Sequence, residues 1–161
     1  KRDKRMHFSQ AYDHNKLVFI SRKADAFQYS GPSSLSNRTL GLVKSYAYPK
    51  AVLQAKGVSI LFATDAKQNL QKLAKGRIDL FPATLVTGSN LILNHLESAS
   101  AKLITHHPQL LAETKGHLLF PKIRPESIEL RYIFNKGLQK IKEEGLYYQL
   151  VSNLLSGQYN K

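Results

Sequence analysis

Three groups of residues in this chain have types and spacings that could do chemistry. The first is Lys44-Ser45-Tyr46-Ala47-Tyr48, a turn between the short apolar run Leu40–Val43 and a segment that reads as a helix over 47–56, with Pro49 in its first turn and Gly57 at its end. A helix N-terminus carries N–H groups without intrahelical partners and the positive end of the dipole, so this turn suits anionic or carbonyl oxygens. Tyr46 and Tyr48 also read as ordinary surface aromatics. The second group is Asp79 to Thr84, a short buried run following Gly76. Arg77 and Asp79 share a strand face and could form a charged pair. Asp79 reads either as a ligand-lining carboxylate or as a structural carboxylate capping the turn. The third group is six histidines, His7, His14, His95, His106, His107 and His117. No two have the i, i+4 spacing of an HExxH site, and His106 and His107 point to opposite faces if extended, so no metal site is expected. There is no G-x-S-x-G elbow, P-loop or G-x-G-x-x-G, and Asp79 has no partner base or nucleophile. These residues imply binding without catalysis and without a cofactor.

The elements that position them read as an open α/β sheet. Ala66, Leu70, Leu73 and Ala74 fall on one helical face, with Asp65 as N-cap and Gly76 as the glycine just past the end. Ile78, Leu80 and Phe81 follow as a short buried strand that Pro82 is expected to stop. Helix, glycine, strand and new helix is the grammar of such sheets, in which residues past the strand ends face the ligand crevice. Further strands are expected at Asn15–Lys23, Leu40–Val43, Val58–Ala63, Ala101–Thr105 and His117–Phe120. The reading is a five-stranded mixed or mainly parallel sheet within Asn15–Leu118, flanked by helices at 47–56, 65–75 and 86–97. Pro125–Glu144 is the clearest helix, with Leu130, Phe134, Leu138 and Ile141 on one face, and Tyr147, Leu150, Val151 and Leu154 mark another, closed by Gly157.

The chain has 161 residues, 42% hydrophobic and 22% charged, with no cysteine and no apolar run near the ~18 residues of a membrane span. Disulfides and thiolate sites are therefore excluded. It opens KRDKRMHF, with no apolar segment of a signal peptide. Twenty-four Lys and Arg against eleven Asp and Glu give a net charge of +13, which favours anionic partners. Apart from Lys1, Arg2, Lys4 and Arg5 the charges are scattered, with no basic stripe interleaved with aromatics, so the surface reads as solvated rather than as a nucleic-acid interface. A basic nucleic-acid-binding module is the alternative from another class, and its affinity would fall steeply with salt.

Four segments resemble the extracellular solute-binding proteins of family 3, the amino-acid-type periplasmic binding proteins of ABC transporters. They are the K-R-x-x-x-x-x-F-S-x-x-Y opening, the Leu35–Val43 approach with the turn that follows it, the L-x-x-L-x-x-G-R-I-D step ending at Asp79, and F-N-K-G-L-Q-K-I-K-E-E-G-L-Y-Y-Q-L near the end. The resemblance runs in order from Arg2 to about Tyr159. It implies an α/β, type-2 periplasmic-binding-protein-like lobe with C-terminal helices. Residues 1–14 would be a remnant of lobe one and the first hinge, 15–120 lobe two, and 121–161 the helices that normally pack on lobe one, most of which this chain lacks. The implied function is reversible capture of a small solute by hinge closure, read by a membrane transporter or sensor in the periplasm or outside the cell, with a separately supplied first lobe or a second copy of the chain as partner. A binding-dead structural or signalling lobe is a further alternative. The implied ligand set is Arg2, which in the family clamps a carboxylate and here also reads as part of a basic terminus, with Lys44, Ser45, Tyr46, Ala47, Tyr48, Asp79 and Thr84. Ser45 stands where the family usually has a turn glycine. In members that bind α-amino acids an acidic residue lies five positions after the G-R-x-D aspartate and pairs with the ammonium. Here that position is Thr84. An ammonium desolvated without a carboxylate is costly, so a neutral or anionic polar solute is expected.

Overall fold

The computed structural model describes residues 4–159; Arg2 lies outside the described residues. The described residues divide into two units: residues 4–15 with Thr114–Tyr159, and Lys16–Glu113.

The unit built on Lys16–Glu113 holds a mixed sheet. Its strands are β2 (Asp13–Arg22, which starts in the other unit), β3 (Thr39–Val43), β4 (Ser59–Ala63), β5 (Leu80–Thr84) and β6 (Ile104–His106), in the order β4-β3-β5-β2-β6. A sixth strand, β7 (Ala112–Gly116), also pairs with β2, so the sheet has six strands where five were expected. β3 runs parallel to β4 and β5, and β2 runs antiparallel to β5 and β6. One cluster packs Val18, Ile20, Leu70, Leu73, Ile78 and Phe81 on one side of the sheet, and another packs Phe19, Phe27, Leu35, Leu40, Val52 and Leu80. The split follows the alternation of the pleat: in β2, Val18 and Ile20 belong to the first cluster and Phe19 to the second.

Helix α2 (Ala66–Ala74) is capped as its sequence implies. The Asp65 carboxylate accepts from Gln68 N–H at 2.8 Å. At the other end Gly76, at φ +69°, donates to Leu73 and the next amide, Arg77, donates to Lys72. This is the paired bonding of a Schellman stop, and it returns the chain to the sheet at Ile78.

Several expectations need correction. The helix expected over 47–56 is a single turn, α1 (Lys50–Leu53), with Pro49 extended at ψ 137° as its N-cap. The residue before a proline is pushed out of the helical region, which keeps Tyr48 from extending the helix backward. β5 does not stop at Pro82. Asp79 donates to Thr39, so alternate residues face β3 and Pro82 turns toward β2 beside Phe19; its missing N–H costs one rung on that side. The strand expected at Ala101–Thr105 begins later, because Ser98–Ala101 forms a short helix, α4. Helix α3 occupies Leu85–His95, within two residues of its expected span.

The other unit holds β1 (Met6–Phe8) paired antiparallel with β8 (Leu119–Pro121), and helices α5 (Ser127–Glu143) and α6 (Leu146–Ser156). Gly145, at φ +78°, makes the break between the helices. Residues 9–12 are held by the helices: Asn135 Oδ1 accepts from Gln10 N–H at 2.7 Å, Lys142 Nζ donates to Ala11 O, and Tyr147 Oη donates to Tyr12 O. Ile128, Leu130, Tyr132, Ile133, Tyr148 and Leu150 are exposed on α5 and α6.

Candidate functional site at the carboxyl end of the sheet

Because β3, β4 and β5 are parallel, Val43, Ala63 and Thr84 leave the sheet at one end. The turn Lys44–Tyr48 and the start of α3 therefore share that end, where open α/β sheets take their ligands. The Leu40–Leu80 register brings the carboxyl ends of β3 and β5, Val43 and Thr84, to the same edge of the sheet.

The turn is built by its own residues. Lys44 N–H donates to Ala63 O and Tyr46 N–H to Val43 O. The Tyr48 side chain folds back so that its hydroxyl accepts from Val43 N–H at 2.9 Å, at the last rung of β3. Burial pushes the Tyr48 phenol above its ordinary value; Tyr46 adds to this, and the Val43 N–H opposes it. Tyr46 stands 6.5 Å from Tyr48, ring to ring, and is 53% exposed. Among the described residues, the amides of Ser45, Ala47 and Tyr48 donate to no protein acceptor. The donors expected of a helix N-terminus thus come from an extended turn ahead of a one-turn helix: the backbone amides are available, but the dipole of a long helix is not. Lys44 is exposed beside them.

Thr84 is the N-cap of α3. Its hydroxyl accepts from Thr87 N–H at 3.2 Å and lies 2.8 Å from the Thr87 hydroxyl. It places a neutral group where a carboxylate would attract cations.

Asp79 is not brought to this end. It precedes β5 at the opposite, amino end of the parallel strands, where Oδ2 accepts from Thr39 N–H at 2.8 Å and Oδ1 meets Arg22 at 3.3 Å. Arg77 is exposed and makes no ion pair with it, which corrects the expected pairing. Sequence reading missed Arg22. Its guanidinium donates to Leu73 O and Ile78 O at 2.8 and 2.7 Å and pairs with Asp25 and Asp79, tying the end of β2 to the α2–β5 connection. A lone arginine closing an apolar strand carries no local signal of four partners 3 to 57 residues away.

His107 is buried against Phe27 and Tyr29, with Nε2 3.0 Å from the Tyr29 amide and Nδ1 3.1 Å from the Gln109 amide; its neutral ring accepts from one of the two. Among the described residues no group of three or more His, Asp or Glu side chains is placed to hold a metal ion, and no helix is long and apolar enough to cross a membrane.

No protein-family model and no curated protein sequence matches this chain. Solved structures do. An amino acid ABC transporter substrate-binding protein from Streptococcus pneumoniae, AbpA, bound to L-arginine, superposes with a TM-score of 0.68 at 19% identity, over 99% of this chain and 65% of its own. The probable amino-acid ABC transporter extracellular-binding protein YtmK of Bacillus subtilis gives 0.74 at 18%, over 98% and 67%. The second substrate-binding domain of Lactococcus lactis GlnP, in its open conformation, gives 0.72 at 18%, over 95% and 63%. The fold is that of the amino-acid ABC transporter substrate-binding proteins. This chain spans about two thirds of the length of the solved chains it matches.

Proposed function

We propose that the chain is the solute-binding lobe of an ABC-type uptake or sensing system, working outside the cytoplasm, and that it captures a small polar solute reversibly without chemistry. The observation that carries this is the set of unpaired amides at Ser45, Ala47 and Tyr48, at the carboxyl end of a sheet whose fold matches substrate-binding proteins over nearly the whole chain. In this reading those amides and Lys44 receive the solute's oxygens, Tyr46 offers a ring face, and Thr84 forms a neutral wall. The Asp79 side chain takes no part. A complementary lobe, equivalent to the third of the relatives' length that this chain does not span, closes over the solute and covers the apolar residues exposed on α5 and α6. An enzyme reading has no residues to assign.

The preferred solute is neutral or anionic, because the amides and Lys44 favour negative charge and Thr84 supplies none. A cationic amino acid is the second reading. It is favoured by the L-arginine bound to the S. pneumoniae protein and by the exposed Tyr46 ring, whose face attracts cations. Amide chemical shifts of the chain, titrated with L-glutamine, L-glutamate and L-arginine, decide between them. The expected result is a saturable shift at Ser45, Ala47 and Tyr48 with glutamine or glutamate. As half a site, the lobe should bind with a Kd on the order of millimolar. Tighter binding of arginine selects the second reading, and no shift with any of the three rejects the site.

A further inference from the structure

We propose that the outer edge of β4 is a docking site for an extended partner segment that alternates apolar and acidic residues, added to the sheet as a further strand. β4 is the last strand in the sheet order, and its sequence, SILFA, contains no charge, proline or bulge, the devices that normally close an edge. Ser59 N–H donates to Arg38 O and Ala63 O accepts from Lys44, so the odd residues face β3. By alternation, Ile60 and Phe62 turn their N–H and C=O groups outward. At present the Phe62 carbonyl is met at 3.1 Å by Lys72 Nζ from α2. The strand's own side chains are apolar and bare: Phe62 is 54% and Leu61 44% exposed.

Charge selects the occupant. From Lys44 to Arg77 stand seven cationic side chains and one carboxylate, Asp65, which is already spent on capping α2. Lys56 precedes the strand, Lys67 and Lys72 lie on the helix packed beside it, and Lys75 follows that helix. A second copy would bring a like-charged edge against this one, in a chain of net charge +13. An acidic strand relieves that repulsion: it takes the Phe62 carbonyl into a ladder bond and leaves Lys72 free for one of its carboxylates.

The test uses the 161-residue chain and a fluorescein-labelled heptapeptide alternating valine and glutamate, followed by anisotropy and by hydrogen exchange. Saturable binding is expected, with slowed exchange at the Ile60 and Phe62 amides. The same peptide with lysine for glutamate, or with proline at its centre, should bind at least about tenfold more weakly. Ile60→Pro removes an outward N–H without touching the β3 ladder and should weaken binding about tenfold. Phe62→Glu, at an exposed position, serves as a second variant should the proline disturb folding, and is expected to act in the same direction. Equal binding of the lysine peptide, or binding that neither variant weakens, overturns the proposal. So does sedimentation showing that the chain alone pairs through this edge, or capture by phosphatidylserine vesicles that Ile60→Pro and Phe62→Glu leave unchanged.

Discussion

At Arg22 one side chain stabilises the joint between β2, α2 and β5. Two carbonyls and two carboxylates converge on its guanidinium, and all lose their partner together if it is removed. Arg22→Met is therefore expected to lower unfolding stability by about 3 kcal/mol in urea titrations, whereas Asp79→Asn, which keeps an acceptor for Thr39, should cost about 1 kcal/mol. Tyr48 and Tyr147 carry a pH dependence. Burial raises both phenols, with Tyr46 contributing at Tyr48 and Asp13 and Tyr148 at Tyr147. A phenol whose folded pKa is raised favours the neutral form, so its contribution is complete below pH ~10 and is lost as pH climbs through the folded value. Stability measured by denaturant at increasing pH should begin to fall above pH ~10, and Tyr48→Phe should flatten part of that fall while costing about 1 kcal/mol at neutral pH. Thr84→Asp keeps a good helix cap and adds the carboxylate that an ammonium needs. With a complementary lobe supplied, calorimetry should show tighter binding of zwitterionic amino acids. Unchanged affinity would sink the charge argument for the solute.

Among the elements, α2 and β3 are held close by Gly41. A Cβ there would stand 2.5 Å from both Asn69 Oδ1 and Ile78 Cδ1. Asn69 is buried among packed neighbours, so it has little room to give way. Gly41→Ala is expected to destabilise by about 2 kcal/mol through overpacking, read as a lower denaturation midpoint with unchanged slope. Gly76→Ala has open space around it and should cost about 1 kcal/mol, from the left-handed backbone alone. The contrast separates a steric requirement for glycine from a conformational one.

For the molecule as a whole, the two units pose different questions. The Lys16–Glu113 unit has its own double-sided core and carries the candidate site. The unit containing α5 and α6 leaves Tyr132 and Ile133 more than half exposed. Replacing both by serine should change the chain's own stability by no more than about 0.5 kcal/mol, since little burial is lost. If a complementary lobe covers this face, the same double variant should abolish pull-down of that lobe. A large loss of stability in the isolated chain would show that the face is already packed.

The sequence by itself determined what depends on neighbours along the chain. The Asp65 cap, the Gly76 stop, the strand alternation and the α5 helix are all readable, because periodicity, capping and left-handed glycine act within one or two turns. The α/β class followed from their order. Long-range pairing was not readable. Arg77 is nearer to Asp79 in sequence, but Asp79 lies at the amino end of β5, where the strand order delivers Arg22. Nor could the chain show that Tyr48 would spend its hydroxyl on Val43 ahead of a one-turn helix, while leaving the Ser45 and Ala47 amides open. Which end of the sheet a residue occupies, and which donors remain unspent there, is set by parallel register and side-chain packing across the sheet, and only the tertiary structure decides those.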